Sequence, residues 1–311
     1  MKKYIISITV LLFALVLSCS TDSNDDGPDE QQQGPVDRSG NLLGTGASAN
    51  DILSNTIFTK LQIEIAYVEG FRPSTSAMSE FQEYLEQHTF KDEIELVFNE
   101  LPSPDEEDLT LNEIAELELE NRTVYNNGET LGIYIYFADA PSENDEEDEG
   151  LVTLGAVYRN TSMIIYESTV RRLANRRSDI NIADVEIATL NHEFGHLFGL
   201  VNIGTVPIND HEDVLLDDEG QPQLDNDGNP IGNNHCNVIG CLMRAELQFG
   251  GSGTSRQGLT AKTADGETLR SACSISGNSI LKMLEASLTA KNAAPALDPE
   301  CVLDLQSNGG R

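Results

Sequence analysis

A mixed α/β domain is what the sequence predicts, and three observations predict it. Of the 311 residues, 39% are hydrophobic and 23% charged, which is the range of chains that fold around a core. From about residue 51 onward, segments with period-two hydrophobicity alternate with segments at helical spacing, the order that builds a largely parallel sheet covered by helices. Thr130 to Phe137 is almost continuously apolar, as a strand buried on both faces must be.

The first residues stand outside that domain. Lys2 and Lys3 precede an apolar run from Tyr4 to Leu17, which stops at Ser18 and Cys19 and is short for a bilayer span. This is the pattern of an export signal. Val16-Leu17-Ser18-Cys19 resembles a bacterial lipobox, which makes residues 1–18 a lipoprotein signal peptide and Cys19 the lipid-bearing first residue of the mature chain. The alternative is an ordinary cleaved signal with an incidental cysteine. Residues 19–50, rich in Ser, Asp, Gly, Gln, Pro and Asn, bury too little apolar surface to order themselves and read as a disordered acidic tether. The acids Asp22, Asp25, Asp26, Asp29 and Glu30 behind Cys19 resemble an export address for the outer cell face, or are a solvated linker. The expected location is an exported lipoprotein of a Gram-negative-type bacterium, at the outer membrane, the cell surface or facing the periplasm, with the lipid as its membrane contact.

The domain itself spans residues 51–311. Lys60 to Val68 is a strand with Leu61, Ile63, Ile65 and Tyr67 on one face. Pro73 opens an amphipathic helix carrying Met78, Phe81, Tyr84 and Leu85, which runs to about His88. Ile94 to Phe98 is a second strand, Thr110 to Val124 a second helix with Leu111, Ile114, Leu117 and Leu119, and Thr130 to Phe137 a third strand. The acids of residues 143–149 repel one another and form a solvated loop; they lack the D-x-D-x-D-G order of a calcium loop, so calcium is a minor alternative. Leu151 to Tyr158 and Ser162 to Tyr166 are strands joined by a turn at Arg159-Asn160-Thr161, and Ser168 to Asn175 is a short helix. After a flexible link at Gly250 to Thr254, Ser276 to Ala290 has helical spacing, and the C-terminal helical part, about 255–311, packs beneath the helix that carries Ile187 to Leu197 or forms a small domain of its own.

Charge excludes one class of function. With 52 Asp and Glu against 19 Lys and Arg, the formal net charge is −33, and such a field repels a polyanion. Nucleic-acid binding is set aside. Removal of residues 1–18 takes two lysines and no acid, so the mature chain is more acidic still.

The chemistry lies in Asn191-His192-Glu193-Phe194-Gly195-His196-Leu197-Phe198-Gly199. Ile187, Leu190, Phe194 and Leu197 recur at three- and four-residue steps, so the segment is a helix with one buried face. His192 and His196 then point the same way, one turn apart, at the separation suited to two ligands of a tetrahedral zinc, and Glu193 beside them is placed as a general base. Gly199 ends the helix and lets the chain turn to deliver a third ligand.

HExxHxxG followed by a ligand three residues on is the metzincin pattern, and position 202 is Asn, a poor zinc ligand. Two later histidines compete for the place: His235, and His211 as the alternative. His235-Cys236-Asn237-Val238-Ile239-Gly240-Cys241-Leu242-Met243 resembles the HC-x4-C-x-M segment of archaemetzincins, with Asn202 to Asn234 inserted as a hairpin that covers the cleft. The resemblance implies a metzincin-like fold, a twisted mixed sheet with long helices. It implies zinc ligands His192, His196 and His235, general base Glu193 and Met243 in the Met-turn.

Archaemetzincins carry a CxxC that completes a second, structural zinc, whereas here the remaining cysteines, Cys273 and Cys301, stand alone, so one catalytic zinc ion is expected. Cys236, Cys241, Cys273 and Cys301 are read as two disulfides of undetermined pairing, with a metal as the alternative. The strand Gly155 to Tyr158, or Met163 to Tyr166, is expected to be the sheet edge that receives an extended peptide. The sequence thus points to a monomeric, lipid-anchored zinc endopeptidase acting on peptides or proteins. The alternative is a lipid-anchored binding protein with a structural or inactive zinc site.

Overall fold

The computed structural model describes residues 37–145, 152–176, 178–217, 219–244, 260–262, 268–270, 273–276, 281, 284–285 and 295–311. All of them belong to one compact unit, Asp37–Arg311. The lipobox with Cys19, the first part of the tether and the link at residues 250–254 lie outside the described residues, as do most of the acidic loop's end and most of the helix expected at 276–290.

Six helices and ten strands are described, in the order α1 (Ala49–Leu53), β1 (Lys60–Val68), α2 (Thr75–His88), β2 (Glu93–Leu101), α3 (Leu111–Asn121), β3 (Thr130–Phe137), β4 (Thr153–Arg159), β5 (Ser162–Ile165), α4 (Glu167–Ala174), α5 (Ile182–Leu197), β6 (Glu212–Val214), β7 (Gly232–Cys236), β8 (Thr260–Lys262), β9 (Thr268–Arg270), β10 (Cys273–Ser276) and α6 (Pro299–Ser307). The main sheet has the order β10-β4-β5-β3-β1-β2. β1 runs parallel to β2 and β3, and β3 parallel to β5, while β4 is antiparallel to both β5 and β10. The result is a mixed α/β fold, as the alternation of periods predicts.

Side-chain alternation decides what each face covers. In β3, Ile133, Ile135 and Phe137 join the core shared with α2 and α5, and Tyr134 and Tyr136 join the core under α3, so both faces are buried. In β1, Leu61, Ile63, Ile65 and Tyr67 face the α2 and α5 side together, as their spacing predicts. Helix starts follow local chemistry. Ser74 caps α2, and Thr110 with Glu113 and Asn181 with Asp184 form capping boxes at α3 and α5.

Two expectations are corrected. The ordered chain does not begin at residue 51. Ser39–Asn41 forms a 3-10 turn, and buried Asn41 donates from Nδ2 to Gly132 O at 3.0 Å and to Asn126 Oδ1 at 2.9 Å. One polar residue with several buried partners anchors a segment whose composition reads as tether. Nor is β4 or β5 a sheet edge: β5 lies between β4 and β3, and β10 covers the other side of β4. Among the described residues, no helix is long and apolar enough to cross a membrane.

Candidate metal centre

α5 carries its chemistry where it meets the sheet and the turn after β7. All its residues from Val185 to Leu197 are buried, including His192, Glu193 and His196 at 0% exposure. The helix stops where the sequence predicts: Gly199 takes φ +76°, Leu200 N donates to Gly195 O at 3.1 Å, and a Cβ at Gly199 would meet Thr205 and Ala49. The left-handed turn continues through Val201 and Asn202. Asn202 donates to Glu212, so the position that the metzincin pattern gives to a ligand instead fastens the start of the insertion.

The insertion returns as an antiparallel pair, β6 with β7, and the end of β7 brings His235 to α5. His192, His196 and His235 converge, with one ring nitrogen of each within 4.8 Å of the others. Their ring centroids lie 5.0, 5.3 and 5.6 Å apart. Two rings have their tautomer set from outside. His192 Nδ1 donates to Leu242 O at 2.7 Å, and His235 Nδ1 donates to Asn233 O at 2.8 Å, which leaves Nε2 as the lone-pair nitrogen in each. Burial pushes His192 down to about 3, helped by His235, and pushes His235 down to about 4. Burial and the two neighbouring rings also hold His196 well below its ordinary value.

A cluster of three buried, neutral imidazoles fits a metal. The fully buried His196 ring has the Leu200 backbone as its polar neighbour and still leaves a nitrogen without a partner, a costly arrangement unless a cation takes it. Three neutral nitrogens are the donor set of a catalytic zinc, which keeps a fourth position open.

Two glycines let the surroundings close on this cluster. A Cβ at Gly195 would overlap Met243 Sδ, so the turn carrying Met243 can press against α5 only because residue 195 has no side chain. At Gly155 in β4, a Cβ would stand 2.9 Å from Glu193 Cγ and 3.3 Å from its Oε1. β4 therefore passes directly beside the Glu193 carboxylate.

A second cluster lies immediately after His235. Cys236, Cys241, Asp298 and Cys301 place their ligand atoms within 4.8 Å of one another. The three cysteines are free and buried, which corrects the expectation that they pair as disulfides. Cys241 and Cys301 are 3.6 Å apart sulfur to sulfur, and the Cys236 thiol donates to Asp298 at 3.1 Å. They gather around a shared point with a carboxylate instead of in bonded pairs. The backbone offers two of the sulfurs a donor, since Val238 N donates to Cys236 Sγ and Met243 N to Cys241 Sγ, each at 3.3 Å. Hydrogen bonds from the Cys241 and Cys301 thiols bring Cys236 down to about 4, while Cys241 and Cys301 are raised. For Cys273, the side chain lies outside what is described.

Asp298 was not among the residues singled out from sequence. It caps α6 through Oδ1, which accepts from Glu300 N at 2.7 Å, and turns Oδ2 to Cys236. The signal was present as Asp298-Pro299-Glu300-Cys301, two donors spaced by two residues at a helix start. His211, the alternative third ligand, sits at this second cluster: its Nε2 is 3.5 Å from Cys301 Sγ and 3.7 Å from Asp304 Oδ2. The structure does not bring it to His192 and His196.

No protein-family model and no curated protein matches the chain. Among solved structures, the chain is similar to an archaemetzincin from Methanopyrus kandleri, at 12% identity over 80% of this chain and 96% of that one, with a TM-score of 0.43.

Proposed function

We propose that the protein is a zinc-dependent endopeptidase. The observation that carries this reading is the convergence of His192, His196 and His235 in neutral, buried form, with Glu193 on the same helix against β4. A zinc ion held by the three histidines would polarise a peptide carbonyl and acidify a water molecule. Glu193 takes the proton of the attacking water and returns it to the leaving amine. Leu242 and Asn233 hold the His192 and His235 rings through their Nδ1 hydrogens, and Met243 against Gly195 fixes the turn beneath. A structural site has use for the histidines but none for Glu193, which favours the enzyme over the binding protein.

In place of the single ion expected from the missing CxxC, the cluster of Cys236, Cys241, Asp298 and Cys301 is proposed as a second, structural zinc site, with four protein donors. It ties the segment after β7 to α6, where Leu242 N also donates to Ala296 O at 2.9 Å. Lipidation at Cys19 is proposed as the anchor, and a Cys19→Ala variant that still partitions with membranes would refute it.

The deciding experiment measures zinc content and peptide-library cleavage of the mature protein beside Glu193→Gln and His235→Ala. Glu193→Gln should keep its zinc and lose about 10²–10⁴-fold in turnover, the range for a general base. His235→Ala should lose one equivalent of zinc together with activity. Full zinc and no cleavage by the wild type across the library would instead support the binding protein.

A further inference from the structure

β4 would have a free edge if the chain ended before residue 273. It does not, because β10 pairs antiparallel with it, matching Cys273 to Val157, Ser274 to Ala156, Ile275 to Gly155 and Ser276 to Thr153. The placement is specific to the catalytic region. Gly155, the partner of Ile275, is the residue whose missing side chain admits Glu193, and β10 also lies against α5. A peptide that presents its carbonyl beside Glu193 would run along this same edge of β4, adding a strand by backbone hydrogen bonds. The chain's own segment already takes that position.

We propose that Cys273–Ser276 is an autoinhibitory strap, an internal strand that occupies the substrate-pairing edge of β4 and must leave before a peptide can enter. This rests on the peptidase reading above. The strap is built to be displaced. Its four residues form a short ladder whose register shifts between Ile275 and Ser276, so few backbone bonds hold it, and short ladders at a sheet margin open more readily than the interior. Cys-Ser-Ile-Ser carries no charge in a chain of net charge −33, and its backbone offers β4 the same donors and acceptors as any extended peptide.

The test uses the zinc-loaded mature protein and its Ile275→Pro variant, in which the proline removes a backbone donor and disfavours the strand. Amide hydrogen exchange over Thr153–Val157 is read in both, together with binding of a fluorescent dipeptide hydroxamate and cleavage of the peptide library. Exchange at Thr153–Val157 should quicken in the variant while zinc content stays unchanged. Hydroxamate affinity should improve about tenfold if the strap is in place nine-tenths of the time. Unchanged exchange would show that β10 does not protect the edge, and quickened exchange with unchanged affinity would show that the edge is not the ligand's path; either overturns the strap. Improved affinity without cleavage by either protein would uphold the strap and overturn the peptidase. If Ile275→Pro does not fold, Ser274→Pro is read in the same way.

Discussion

Two donor clusters stand back to back in this molecule, separated by a single peptide bond between His235 and Cys236, and they are built on opposite principles. The histidine cluster takes three neutral nitrogens, with a carboxylate next to one of them on α5. The cysteine cluster gathers three sulfurs and a carboxylate, from the end of β7, the turn after it, and α6 with its cap. Neutral donors leave a bound cation most of its charge and an open side for a reactant, whereas thiolates and a carboxylate neutralise it and close around it. On the function proposed above, adjacent residues would serve chemistry on one side and architecture on the other.

The sharpest way to break this comparison is to remove one donor from each side. Cys301→Ala should lose the cysteine-site metal and lower the thermal midpoint by roughly 10 °C or more, because structural zinc binding is coupled to folding. His235→Ala should lose the other metal with a far smaller shift in the midpoint. Equal shifts, measured by calorimetry with metal analysis, would refute the division of labour. Gly195→Ala comes next: the added methyl must displace Met243, at a cost of about 1–3 kcal/mol by overpacking. Catalytic efficiency should fall with the histidine metal retained, and an unaltered denaturation midpoint would show that Met243 has room to move.

Acid should separate the clusters in a metal-free sample. His192 is held down to about 3 and His235 to about 4, against about 6.5 in an unfolded chain. Between those values the unfolded state binds protons that the fold refuses, so stability falls as pH drops from about 6.5 towards 4. Urea midpoints taken at several pH values should show that decline, and it should shrink in a His192→Gln/His235→Gln variant to the part that burial of His196 sustains. The smallest effect is expected at His211→Ala, within about 1 kcal/mol of wild-type stability and with full zinc at the histidines. Loss of that zinc would restore His211 as the third ligand.

How much was legible in advance follows from how far each signal reaches along the chain. β1, α2 and β3 were readable because their hydrophobic period is local, and β3 lies where its apolar run predicts. The mixed sheet followed from the order of those periods. The end of the tether was misplaced because Asn41 is a single polar residue whose partners sit 85 to 120 positions away. The disulfide expectation failed for a related reason: Cys301 meets Cys241 across 60 residues, and cysteine count does not say whether thiols meet in pairs or around a common centre. β10 went unseen, since Cys-Ser-Ile-Ser is too short for its alternation to mark a strand.

The sequence by itself determined that His192, Glu193 and His196 share one helix and that the two imidazoles face one way, because 3.6 residues per turn leaves a four-residue spacing no other geometry. It also determined the strong negative charge and the glycine that ends α5. Only the tertiary structure decided that His235 meets the pair while His211 goes to the cysteines, that Asp298 joins those cysteines, and that β10 lies along β4. Each of these depends on where a distant segment returns to the sheet, and that is fixed by packing and backbone pairing summed over the whole domain, not by any local period.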